Sequence, residues 1–244
     1  MKRVFIVTLS LLLITGIFAG CSKDSKKEEK AAEVSSVMPT VLNTVEYTLY
    51  QNIFYNDKAS EYNGQDVEKE GTFATLYDAY NNVTRYYVWG YNDNTKCCDW
   101  QWELKIDDIK NLPVNGSLVT VKGTYEENES ALDGLWIINP EITVKTDYKG
   151  NDYDIDMLSM SNTLERVQIT NVMDFPDNFK GKTIGFYGRM KTDTSIEDAY
   201  YDNSWEVEVN GDFDVPAFGT IVIASGNVDS GKISDVKLSD NTQY

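Results

Sequence analysis

The chain has 244 residues, with 22 Lys and Arg against 39 Asp and Glu, a formal charge of -17 and no histidine. The missing imidazole excludes Ser-His-Asp and Cys-His nucleophilic sites and any zinc site built on histidine, which leaves acid-base work to carboxylates, Lys and Tyr. The acidity excludes a nucleic-acid partner, because basic side chains against phosphate supply most of that affinity.

The N-terminus carries Lys2 and Arg3, then an apolar run from Val4 to Phe18, and ends at Phe18-Ala19-Gly20-Cys21. A basic start, a short apolar core and small residues before a cut are the layout of a signal peptide over 1–20. The run is shorter than the roughly 20 apolar residues a spanning helix needs. A Cys straight after small residues resembles the bacterial lipobox, which implies cleavage before Cys21 and lipidation of its thiol. The mature chain would then sit on the outer face of a bacterial cell membrane, held by acyl chains. Loss of Lys2 and Arg3 leaves 20 basic against 39 acidic residues, near -19. A surface this acidic is repelled by anionic lipid, so the anchor alone supplies the membrane contact. Residues 22–36 are Ser, Lys, Asp, Glu and Ala with one Val, too poor in apolar area to fold, and 21–38 is expected to form a disordered tether.

Folded sequence is expected from 39 onward. Val41, Leu42, Val45, Leu49, Ile53 and Phe54 fall at helical spacing, with Thr40 as the N-cap. Strand-like runs follow at Val67–Tyr77, Arg85–Tyr91, Trp100–Ile106, Leu118–Tyr125 and Leu135–Val144. Gly71 interrupts the first and marks an expected bulge. Along the third, Trp100, Trp102, Leu104 and Ile106 share one face, and Gln101, Glu103 and Lys105 the other. The polar stretch 146–156 reads as a linker, and Met157–Val172 as a weakly patterned helix.

The pattern then repeats. Gly71, Trp102-Glu103, Pro113-x-x-Gly116 and Gly123 recur as Gly188, Trp205-Glu206, Pro216-x-x-Gly219 and Gly226. What recurs is assigned to architecture. Cys97-Cys98 faces Tyr200-Tyr201, and the second copy has 13 positions from Gly188 to Tyr201 where the first has 27 from Gly71 to Cys98. The second copy is therefore expected to have lost a strand or a hairpin loop.

Five strands in about 80 residues, the first long and broken at Gly, look like an OB-fold, a small Greek-key barrel. Tyr50-Gln51-Asn52-Ile53, Tyr62-Asn63-Gly64-Gln65-x-Val67-x-x-x-Gly71-x-Phe73, Cys97-Cys98 and Gly116-Ser117-x-Val119-x-Val121-x-Gly123-x-Tyr125 carry a further likeness. They resemble a group of bacterial OB-fold lipoproteins and permease-associated envelope proteins. The resemblance implies an extracytoplasmic barrel and, as partner, a permease or other envelope protein with a tie to metal uptake. The expected architecture is mainly β: a helix plus an OB-fold-like barrel over 39–145, a linker over 146–156, and a degenerate OB-like barrel over 157–244.

Cys97 and Cys98 would be the only thiols left once Cys21 is lipidated. Three readings stand open. A vicinal disulfide would join Cα atoms about 3.8 Å apart, below the usual span of roughly 4.4–6.8 Å, and would be easily reduced. A soft-metal site would hold Zn or Cu on the two thiolates. In the third, the strand already includes this point, and Cys98 shares the core parity of Trp100 and Trp102 as a small buried residue. Tyr87, Trp89 and Tyr91 line one face of the second strand, and with Trp100 they form a candidate surface for stacking on a sugar or peptide. Asp152-x-Asp154-x-Asp156 starts like a calcium loop, but Met157 and Thr163 stand where Gly and Glu are required, so it reads as solvated surface. The sequence thus points to a non-enzymatic, lipid-anchored binding or accessory protein. A thiol-redox protein and a carbohydrate- or peptide-binding module are the alternatives.

Overall fold

The computed structural model describes residues 40–42, 46, 58–96, 98–129, 131, 135–200 and 204–240. Cys21, Cys97 and the signal and tether segments lie outside them. The protein is mainly β, with two sheets. Helix α1 (Ala59–Tyr62) leads into five strands, β1 (Asp66–Asp78), β2 (Val83–Tyr91), β3 (Asp99–Leu104), β4 (Leu118–Glu127) and β5 (Leu135–Thr146). They close into a barrel in the order β1-β2-β3-β5-β4, with β4 returning to β1 and β3 running parallel to β5. Every strand expected in this copy forms, because residues of alternating parity fill the barrel: Phe73, Val88, Trp100, Trp102, Val119 and Ile137 are all buried inside it.

The second sheet contains β6 (Ile155–Asp156), β7 (Thr183–Thr192), β8 (Ser195–Glu197), β9 (Glu206–Glu208), β10 (Ile221–Asp229) and β11 (Lys232–Asp240). Its main path runs β11-β10-β7-β8-β9, and β6 adds in parallel to β7. Just past β9, Val209 bridges in parallel to Ile233 of β11, and the Asn210 N–H donates to the Ile233 carbonyl at 2.9 Å. The second copy therefore keeps all five counterparts and has not lost a strand. Its second and third strands have shrunk to three residues each, against nine and six in the first copy.

The repeat extends to hydrogen bonds outside the ladders. The Gly116 N–H donates to Phe73 O at 2.8 Å, and the Gly219 N–H to Met190 O at 2.8 Å. The Gly64 N–H donates to Tyr125 O at 2.8 Å, and the Gly181 N–H to Val228 O at 2.9 Å. No register shift occurs at Gly71; it is glycine because a Cβ would lie 2.6 Å from Val88 Cγ2 and 2.9 Å from Trp100. The bulges fall instead at Gly123, between Lys122 and Thr124, and at its twin Gly226, between Ser225 and Asn227.

Residues 146–156 are not a free linker. Tyr148 is buried against Gly116, Asn151 binds Asp156, and Ile155–Asp156 joins the second sheet. This sets a test within the repeat. Gly116 and Gly219 both have φ near +90° (91° and 86°), so Ala strains either one. Only at Gly116 would the new methyl overlap a ring, that of Tyr148. Gly219→Ala is expected to cost about 1 kcal/mol, and Gly116→Ala about 1–3 kcal/mol more, in urea unfolding.

Helix α2 (Asn162–Asp174) forms where a helix was expected, after a 3-10 turn at Met157–Ser159. Ser161 caps it, its Oγ accepting from the Leu164 N–H at 3.2 Å. Its apolar stripe is weak because its buried positions include Asn162, Glu165 and Gln168 as well as Leu164, Ile169 and Val172. In front of the first barrel the expected helix start is not found. Residues 40–42 are extended: the Thr40 carbonyl accepts from the Tyr91 N–H at 2.8 Å, and the Leu42 N–H donates to Tyr91 O at 3.2 Å. Thr40 thus completes the end of β2 rather than capping a helix. Glu46 is helical, and the remainder of the stretch lies outside the described residues.

One apolar cluster spans both copies. Ala74, Leu76, Tyr87, Trp89 and Tyr91, on the outside of β1 and β2, pack with Leu164, Ile169 and Val172 of α2 and with the core of the second sheet. Polar contacts fix the docking. Gln168 Oε1 accepts from the Tyr77 N–H at 2.9 Å, Asn171 Oδ1 from the Ala79 N–H at 3.2 Å, and the Trp89 indole N–H donates to Ser159 O at 3.3 Å. Asp99 accepts from the N–H and hydroxyl of Thr163, at 2.8 and 2.7 Å, at the positive start of α2.

Candidate functional site

The aromatic face expected to bind is the face that docks the second copy. Tyr87, Trp89 and Tyr91 are 0%, 2% and 7% exposed, so no ligand can stack on them. Trp100 is barrel core, and its indole N–H donates to Tyr91 O at 3.2 Å. Cys98 is not a buried core residue. It precedes β3, is exposed, and its carbonyl accepts from the Asn92 N–H at 2.9 Å, closing the β2–β3 hairpin. Its partner in both the disulfide and the Zn or Cu readings, Cys97, lies outside the described residues.

The second copy covers only part of this face. Toward the start of β2 and the end of β3, the same outward parity carries Arg85, Glu103 and Lys105, and β5 adds Trp136 beside Glu103. These residues share a cleft of about 710 Å³ whose lining includes Asp78, Asn81, Arg85, Glu103, Lys105 and Trp136. Asn81 of the β1–β2 turn, and Glu129 and Ala131 after β4, lie at its margin.

The polar groups here are held in place before any ligand arrives. Arg85 bridges two carboxylates, Asp78 Oδ2 at 3.0 Å and Glu103 Oε1 at 2.8 Å. The Tyr87 hydroxyl reaches Glu103 Oε2 at 3.5 Å from the buried side. Burial alone would push the Asp78 carboxyl up, but hydrogen bonds from Asn81 and Arg85 outweigh it and hold the group below its ordinary value. Lys105 Nζ stands 5.0 Å from the centre of the Trp136 ring. The Trp136 indole N–H is buried without a hydrogen-bond partner. The cleft thus offers a partly buried aromatic ring, with Lys105 over it, edged by planar, preset donors and acceptors of both signs.

In the sequence these residues lie one step beyond the rows that suggest a site. Arg85 continues the parity of Tyr87, Trp89 and Tyr91, and Glu103 and Lys105 had been placed on the outward face of β3. Extending both rows by one position on the same face leads to the cleft. Trp136 gave no comparable signal, because the pairing of β5 with β3 is not local.

The acidic run after the first barrel is engaged structurally. Asp154 accepts from the N–H and hydroxyl of Thr183, at 2.8 and 2.9 Å, and these bonds hold its carboxyl low. Asp156 accepts from the Asn151 side chain at 3.0 and 3.1 Å, and burial pushes its carboxyl up. Behind it, Glu165 is raised well above the carboxylate range by burial, with the charges of Asp198 and Asp156 adding; the Tyr187 N–H, at 2.5 Å, opposes the shift. Among the described residues, no group of three or more Cys, Asp or Glu is placed to hold a metal ion. No known protein-family model matches the chain, and no curated protein matches it.

Proposed function

We propose that this is a lipid-anchored, extracytoplasmic binding protein whose first copy is an OB-fold that takes a neutral saccharide in the cleft beside Arg85 and Trp136. The strand order β1-β2-β3-β5-β4, with β3 and β5 parallel, supports the OB-fold reading. In such barrels the face of strands two and three, between the β1–β2 and β4–β5 loops, binds oligonucleotides or oligosaccharides. A charge of -17 opposes the first. The closed barrel also argues against a peptide added as an extra strand, since its five strands leave no free edge. The cleft carries the reading: a ring for the apolar face of a sugar, and fixed Arg, Glu, Asp and Asn groups for its hydroxyls.

The anchor reading rests on Lys2-Arg3, the apolar run and Cys21. The test is calorimetric titration of the protein without its signal segment against neutral glucose and N-acetylglucosamine oligosaccharides. Wild type is expected to bind, and Trp136→Ala to weaken binding about tenfold, the worth of one aromatic contact of about 1.4 kcal/mol. No binding across a glycan array would overturn the saccharide reading.

A further inference from the structure

A second cleft, of about 410 Å³, opens between the barrel and the second sheet. Thr84, at the start of β2, borders both this cleft and the one on the barrel. Resting on the saccharide reading above, we infer that they form one groove, and that the ligand is an oligosaccharide running from the barrel face around Thr84 into the space between the copies.

The inner cleft has the chemistry for it. Tyr77 and Phe179 meet edge-to-face at 5.6 Å and give an apolar wall built by both copies. Opposite them, Thr75 and Asn115 bind each other, the hydroxyl donating at 3.1 Å and the amide at 2.8 Å. Each fixes the other's direction and keeps unused capacity for a hydroxyl: a second amide hydrogen, and further lone pairs. Asp156 and Lys182 add an acceptor and a donor of opposite charge. Neutral sugar hydroxyls suit such a mixed lining; a strongly charged chain would be repelled by one end of it. The repeat supports a dedicated role, because the counterpart of Asn115 is Phe218, which is 67% exposed and outside the groove.

This arrangement makes affinity depend on chain length. Neutral β-1,4-linked glucose and N-acetylglucosamine chains, from monosaccharide to hexasaccharide, are titrated into wild type, Asn115→Ala, Lys182→Ala and Trp136→Ala. Wild-type affinity is expected to climb with length until both clefts are filled. Asn115→Ala and Lys182→Ala should each lower the affinity of the long chains by about 2–10-fold, the worth of one hydrogen bond, and leave the shortest binding chain unaffected. Trp136→Ala should weaken all lengths. Lys182 is exposed, so its substitution keeps the test valid even if Asn115→Ala loosens the fold. Affinity that does not grow with length, or equal losses at every length, would overturn the extended groove while leaving the barrel site standing. Absence of binding by any chain would overturn both.

Discussion

Trp89→Ala is expected to lower the free energy of unfolding by about 3–5 kcal/mol, the range for truncating a buried Trp. The residue lies on the outside of its own barrel and yet is 2% exposed. Its ring packs edge-to-face on Tyr91 at 5.6 Å, within the cluster shared with α2 and the second sheet. Its indole N–H is satisfied by Ser159 of the second copy. Truncation removes apolar burial, opens a cavity between the copies and leaves a buried carbonyl without its donor, and the three losses have the same sign. Urea unfolding followed by far-UV circular dichroism measures the change. Tyr80→Ala, at a position 81% exposed in the β1–β2 turn, is the reference and should stay within about 0.5 kcal/mol of wild type. A loss below about 1 kcal/mol for Trp89→Ala would mean that the outer face of β2 does not hold the two copies together.

That interface explains which parts of the protein were legible in its sequence. Alternation along a strand is a local signal, so β1 to β5 and the inward positions of Trp100, Trp102 and Phe73 follow from parity alone. The repeated glycines likewise mark places where backbones or rings approach closely: Gly71 meets Trp100 and Gly188 meets Trp205, which the strand register places opposite its glycine as Trp100 is, two positions from the Trp102 match that the sequence spacing suggests. The part of the first copy that is much longer than its twin, the β2–β3 hairpin, carries the aromatic row that suggests a binding face. Most of its outward face instead carries the docking of one copy on the other, a non-local contact that strand parity cannot distinguish from an open aromatic surface. The remainder, which the second copy does not cover, holds Arg85, Glu103 and Lys105; in sequence they read as ordinary solvated charges, but Glu103 is 5% exposed and Arg85 is tied into two bridges beside the Trp136 ring. Of the three readings open for the cysteine pair, the buried one fails at Cys98 for a related reason: the backbone bends just before the first residue of β3, and a side chain in a bend owes nothing to the alternation that follows.

Glu46→Ala is expected to cost about 3 kcal/mol, the low end for breaking a buried ion pair by removing one partner. Lys69 shares the inward parity of Val67, Gly71 and Phe73, so its side chain enters the barrel. It is 3% exposed, lies 5.0 Å from the centre of the Trp100 ring, and pairs with Glu46 at 3.2 Å. Glu46 is 32% exposed and so remains partly hydrated. The two partners are therefore not equivalent: Glu46→Ala strands a cation in the barrel, whereas Lys69→Met leaves a carboxylate that water can reach and fills the same space with a flexible apolar chain. Lys69→Met should cost less than Glu46→Ala, and adding it to Glu46→Ala should restore most of the loss, a coupling that a double-mutant cycle reads directly. The pH dependence follows from the same geometry. Burial lowers the Lys69 pKa, while the charge of Glu46 and its hydrogen bond pull it back toward 10.5. Without Glu46 the folded-state value falls further, and the unfolded chain then binds the Lys69 proton more tightly than the folded one. Stability of Glu46→Ala must therefore rise with pH between that lowered value and 10.5, and its deficit against wild type must narrow. Tyr125 does not interfere, because burial first, and then the charge of Glu46 where it is present, push its phenol above the usual tyrosine value. A deficit that stayed constant, or widened, from pH 7 to 10 in urea unfolding would place the Lys69 ammonium in water rather than in the barrel.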